Sequence, residues 1–113
     1  MGKEKTRAEL LPGTLDMLVL RTLARRGALH GYGVAESIRL ATEGVLDVEE
    51  GSLYPALQRL MLEGWVDAEW GKSENNRRAR FYRLTADGRK QLAREIAGFE
   101  RTIEAIQRVL RTA

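Results

Sequence analysis

The sequence has no cysteine, which excludes disulfides, thiol nucleophiles and thiolate metal sites. It has a single histidine, His30, and a lone imidazole beside Gly31 fits a turn or helix cap better than a metal ligand or catalytic base. No nucleophile pairs with a base and no metal-ligand cluster appears, so neither an enzyme nor a cofactor is expected. No apolar run approaches the roughly 20 residues of a membrane span, so no membrane partner is expected. The amino-terminal MGKEKTRAELLPG lacks the apolar core of a secretory signal, and a cytoplasmic location is the expectation. Charge of one sign is also scarce: 19 Lys and Arg face 16 Asp and Glu, a net +3, so the placement of the cations matters more than their sum.

What is present is helical periodicity. After Pro12-Gly13, Thr14 is placed to cap a helix that runs to about Arg26, with Leu15, Leu18, Val19, Thr22 and Leu23 spaced three and four apart. Met17, Leu20 and Ala24 form a second apolar stripe that a helix touching only its own core does not need; a second chain is expected to cover it. Gly27 ends this helix, and HGYG turns the chain into a second helix carrying Val34, Ala35 and Ile38. Gly44 closes that one. A third helix is expected from Ser52 as cap to about Gly64, with Pro55 in its first turn. Its apolar face is Leu53, Ala56, Leu57, Leu60 and Met61, leaving Tyr54, Pro55, Gln58, Arg59 and Leu62 outward.

The stretch WVDAEW then alternates as a strand, a polar turn spans Gly71 to Asn76, and a second strand covers Ala79 to Leu84. Thr85 caps a last helix on which Leu92, Ile96, Phe99, Ile103, Ile106 and Leu110 recur in steps of four and three, a heptad seam. The expected fold is mainly α with a small β-hairpin: a winged helix-turn-helix in residues 1–84 and a long dimerisation helix in 85–113, packed as one unit. Leu15, Met17 and Leu20 of the first helix and the seam from Leu92 to Leu110 are the expected homodimer surface.

The cations concentrate in KSENNRRARFYRLT. Arg77, Arg78 and Arg80, with Lys72, Asn75 and Asn76, sit at the turn and the start of the second strand, where each phosphate they neutralise would release counterions. Arginines on an edge strand also discourage aggregation, but four between Arg77 and Arg83 exceed that need. Gln58 and Arg59 suit adenine and guanine edges, and Ser52 and Tyr54 suit phosphates; the alternative is an ordinary surface helix. Tyr32 is either a phosphate contact or a core aromatic. Phe99 is either a core aromatic or part of an apolar effector pocket near a two-fold axis. Glu49 and Glu50 fit a helix N-terminus.

Taken together, LLPGTLDMLVL, HGYGV, EEGSLYPALQRLMLEGW, RARFYRLT and ADGRKQL strongly resemble the PadR family of bacterial transcriptional regulators over nearly the whole chain. The resemblance implies a winged-helix homodimer that binds double-stranded operator DNA, usually as a repressor, and that in many members is released by a small hydrophobic effector. By position, Tyr54 and its neighbours match the recognition helix and Arg77 to Arg80 the wing. The helix after Thr85 matches the dimerisation helix of the smaller subclass with a single C-terminal helix. Two-fold symmetry predicts an inverted-repeat operator with half-sites about one helical turn apart. The competing reading is a winged-helix protein-interaction module whose last helix joins a partner's coiled coil.

Overall fold

The computed structural model of the protein describes residue 10 and residues 13–112; the expectations for residues 1–9 and Pro12 fall outside them. The order is α1 (Thr14–Arg26), β1 (Leu29–His30), α2 (Gly31–Ala41), α3 (Glu50–Leu62), β2 (Val66–Lys72), β3 (Arg78–Leu84) and α4 (Ala86–Arg111). The expected helices and hairpin are all present. The sheet, however, has three strands in the order β1-β3-β2, all antiparallel. The additional strand is two residues long, with Leu29 opposite Tyr82 and His30 opposite Phe81. No alternation pattern marks so short an element.

α1 is the axis of the fold. Val19, Leu20 and Leu23 are fully buried and Met17 nearly so, because α4, α2, α3 and β3 all pack around this helix. The second stripe is therefore covered from within: Met17 and Leu20 belong to the protomer's own core cluster, and Ala24, partly buried, packs against it. Apolar residues on more than one face are what a central position demands, and the exposed Arg21 and Arg25 mark the side left to solvent. Leu20 and Leu92 are enclosed by their own chain and are not surface residues, contrary to the expectation that placed both on a dimer face.

Two helix starts differ from expectation. Thr14 is the first helical residue, and Gly13, left-handed at φ 86°, holds the cap position. α3 begins two residues earlier than Ser52, because the Glu49 carbonyl accepts the N–H groups of both Ser52 and Leu53. Pro55 consequently sits beyond the first turn, where it deletes one backbone bond on the exposed side of the helix. The core face of α3 is as expected, with Leu53, Ala56, Leu57 and Leu60 buried.

α4 is anchored at its start. The Thr85 hydroxyl accepts the Gly88 N–H at 3.0 Å and donates to the Gly64 carbonyl at 2.7 Å, tying the helix to the end of α3. A Cβ on Gly88 would collide with the Trp65 carbonyl, so only glycine permits this approach. The seam then leaves the body gradually: Leu92 is buried, Ile96, Phe99 and Ile103 are half-covered, and Ile106 and Leu110 are 47% and 76% exposed. The 26-residue helix is about 39 Å long at the standard rise.

Candidate nucleic-acid interface

The wing is assembled by register. Val66 pairs with Leu84, Ala68 with Tyr82, Trp70 with Arg80 and Lys72 with Arg78, and because side chains alternate along a strand these eight share one face of the sheet. At the root that face is core, with Val66 and Tyr82 buried. Towards the tip the same face runs past the body and becomes cationic. Phe81 lies on the opposite face, where it meets the His30 ring edge-on at 5.5 Å.

The opposite face is neutralised. Arg83 reaches Asp67 at 2.9 Å and Glu69 at 3.4 Å, so this arginine does not add to the charge of the tip. Among the described residues no carboxylate pairs with Arg77, Arg78 or Arg80. The wing thus carries its free cations on one side.

That side borders a groove of about 490 Å³ between the wing and the starts of α2 and α3. It brings together Tyr32, Tyr54, Asn75, Arg77, Arg78 and Arg80 of the residues singled out from the sequence, along with His30, Ser73 and Glu74. The turn is closed by Ser73 and Arg77, whose backbones bond at 2.8 Å, and Asn76 supplies the left-handed residue at φ 61°. His30 is a cap: its Nδ1 accepts the Gly33 N–H at 3.0 Å and fixes the first turn of α2. Tyr32, 68% exposed on that turn, is not a core aromatic.

Tyr54 is half-engaged in packing. Its ring covers Gly31, where a Cβ would overlap the phenol. Burial pushes the Tyr54 hydroxyl above its ordinary pKa, and the Glu50 carboxylate adds to the rise. The shift keeps the phenol protonated to higher pH than an ordinary tyrosine. On the far side of Tyr32 and Tyr54 the surface turns acidic, with Glu36, Asp47, Glu49 and Glu50 around a second groove and Arg39 held by Glu36 at 2.6 Å. The two tyrosines mark the edge of the cationic surface.

The outward side of α3 carries Gly51, Pro55, Gln58 and Leu62 at helical spacing, flanked by Ser52. Gln58 is exposed there. Arg59 is not free: it bridges to Asp16 of α1 at 2.7 Å. Ser52, Gln58, Arg59, Lys72 and Asn76 lie outside the groove lining. Sequence reasoning missed Trp70, which is 55% exposed and has the Arg78 guanidinium over its ring at 4.3 Å and that of Arg80 at 5.7 Å. The signal was the cross-strand register, which pairs Trp70 with Arg80.

A sequence profile of the transcriptional regulator PadR-like family matches residues 19–94, from the middle of α1 into α4. The chain belongs to the PadR-like family. Among solved structures, a PadR family transcriptional regulator from Eggerthella lenta is 32% identical with a TM-score of 0.75, covering 89% of this chain and 85% of its own. A transcriptional regulator from Clostridium thermocellum is 28% identical with a TM-score of 0.77, over 85% of this chain and 92% of its own. Bacillus subtilis PadR, solved in complex with operator DNA, is 23% identical with a TM-score of 0.64. It covers 74% of this chain and 47% of its own, and shares the fold. This PadR-like regulator is thus a mainly helical winged-helix protein, and among its described residues no helix is long and apolar enough to cross a membrane.

Proposed function

We propose that this PadR-like protein is a sequence-specific DNA-binding repressor that acts as a homodimer on an inverted-repeat operator. The observation that carries the reading is the one-sided wing: its unpaired arginines border the groove beside α2 and α3, while its outer arginine is neutralised. A polyanion bound along this groove would replace the missing counter-charges. Gln58 and its neighbours on α3 would face the major groove, with Ser52, Tyr32 and Tyr54 on flanking phosphates and Lys72, Asn75 and Asn76 beside the backbone at the wing. The operator complex of Bacillus subtilis PadR supports the same use of the shared fold.

The dimer would form along the part of the seam its own chain leaves open, Ile103, Ile106 and Leu110, with Ile96, Phe99 and Leu15 at its margin. In this division residues to 84 form the reading body and those from 85 the joining helix. A groove of about 470 Å³ between α1 and α4, lined by Met17, Phe99, Ile103 and Ile106 among others, lies at that margin. It is the proposed seat of a small hydrophobic effector, with Phe99 on its wall. Gel-shift titration of the purified protein against the DNA upstream of its own gene, at stepped salt concentrations, tests the reading. Tight retention that weakens steeply with salt is expected, and binding indifferent to salt would reject it.

A further inference from the structure

We infer that Trp70 is a positioning residue of the wing, whose indole holds the Arg78 and Arg80 guanidiniums towards the groove while leaving their charge undiminished. The inference rests on the DNA-binding reading of this groove.

A long arginine at the tip of a hairpin has several free torsions, and ordering it on contact with a phosphate costs conformational entropy. An acidic neighbour could order it in advance, as Asp67 and Glu69 do for Arg83 on the other face, but the ion pair cancels the charge the phosphate needs. An aromatic ring orders the guanidinium without cancelling it. The guanidinium keeps its N–H donors for a second partner when it lies over an indole, the best of the aromatic faces for this contact.

The wing has this arrangement. Trp70 stands opposite Arg80 in the ladder, two pairs inward from Lys72 and Arg78 and on the same face, and both guanidiniums lie over its ring. Half of the indole surface is exposed, so the ring is not in place to fill the core. The Nε of Arg80 is enclosed and has no hydrogen-bond partner, so no acceptor competes with the ring for this guanidinium, and Arg78 and Arg80 both line the groove. A ring kept at the surface beneath two uncompensated guanidiniums is explained by what it does for them.

The test is binding of the full chain to a labelled random-sequence duplex, followed by fluorescence anisotropy at stepped sodium chloride concentrations. Trp70→Leu is expected to weaken binding about five- to tenfold for each protomer in contact, the cost of ordering two arginines that the indole no longer holds. The salt slope should stay at the wild-type value, because no charge is removed. Trp70→Phe should recover most of the loss. In an Arg78→Ala, Arg80→Ala background, Trp70→Leu should cost nothing further. An equal loss in both backgrounds, a flattened slope, or a Phe variant no better than Leu would overturn the inference. In a Trp65→Phe background without DNA, the double arginine variant should change the emission of Trp70, and unchanged emission also overturns it. A wild-type protein that leaves duplex unbound while showing the emission change would instead sink the DNA-binding reading and keep the stack.

Discussion

Arg83 and Asp67 face each other at 2.9 Å on the side of the wing turned away from the groove, only one residue along the chain from the side that carries Tyr82 and the tip arginines. The alternation of β3 therefore sorts its three arginines into two populations, Arg78 and Arg80 on one face and Arg83 on the other. Arg83→Ala is expected to leave duplex affinity and its salt slope at wild-type values, and to change stability by roughly half a kcal/mol or less, since both partners are exposed. Arg78→Ala is expected to flatten the slope of log affinity against log salt by about 0.9 for each protomer, about 1.8 for the homodimer. Equal slopes for the two variants in gel-shift titrations would contradict the sorting.

Asp16 restrains the one cation on α3. Its carboxylate holds Arg59 at 2.7 Å across the α1–α3 contact. Asp16→Ala should free the guanidinium and tighten duplex binding, with a steeper salt dependence, while costing about 0.5 kcal/mol from the lost negative charge at the start of α1. Gel shifts and thermal melts of the variant measure both effects.

Ile106 and Leu20 separate association from folding. Ile106, half-exposed on the outer part of α4, is a proposed contact between chains, so Ile106→Asp should give monomers in sedimentation with little change in helix content. Leu20 has no exposed surface, so Leu20→Ala should lower stability by about 2–5 kcal/mol in denaturant titrations. A Leu20→Ala protein that dissociated without losing stability would place that side chain between chains after all.

Tyr54 gives a pH signature. Its folded pKa is raised by burial and by Glu50, so the neutral phenol stabilises the fold below the ordinary tyrosine value, and that contribution is lost as pH rises through the folded value. Wild-type melting temperature should therefore fall more steeply above about pH 10 than that of Tyr54→Phe. Phenolate absorbance lost in Tyr54→Phe should be the part that appears above the ordinary tyrosine range.

The helices and the hairpin were legible because their signals are local. Three-and-four spacing, Thr85 before an apolar seam and the glycines after α1 and α3 each constrain a few consecutive residues, and the family motifs add the topology. What was not legible depends on partners far away in the chain. Whether Leu20 meets its own α4 or another chain cannot be read from spacing, since either burial asks for the same residue type. Arg59 looks free until α1 brings Asp16 beside it. Arg83 counts as a wing cation until register places it with Asp67 and Glu69, and the same register turns Trp70 from a strand aromatic into a bed for two guanidiniums.

The two residues of β1 have a mechanical consequence. Because Leu29 and His30 are laced to Tyr82 and Phe81, and His30 also caps α2, the hairpin cannot swing as an independent flap. A tilt of the wing therefore bears on the first turn of α2, and a displacement of α2 bears on the base of the wing.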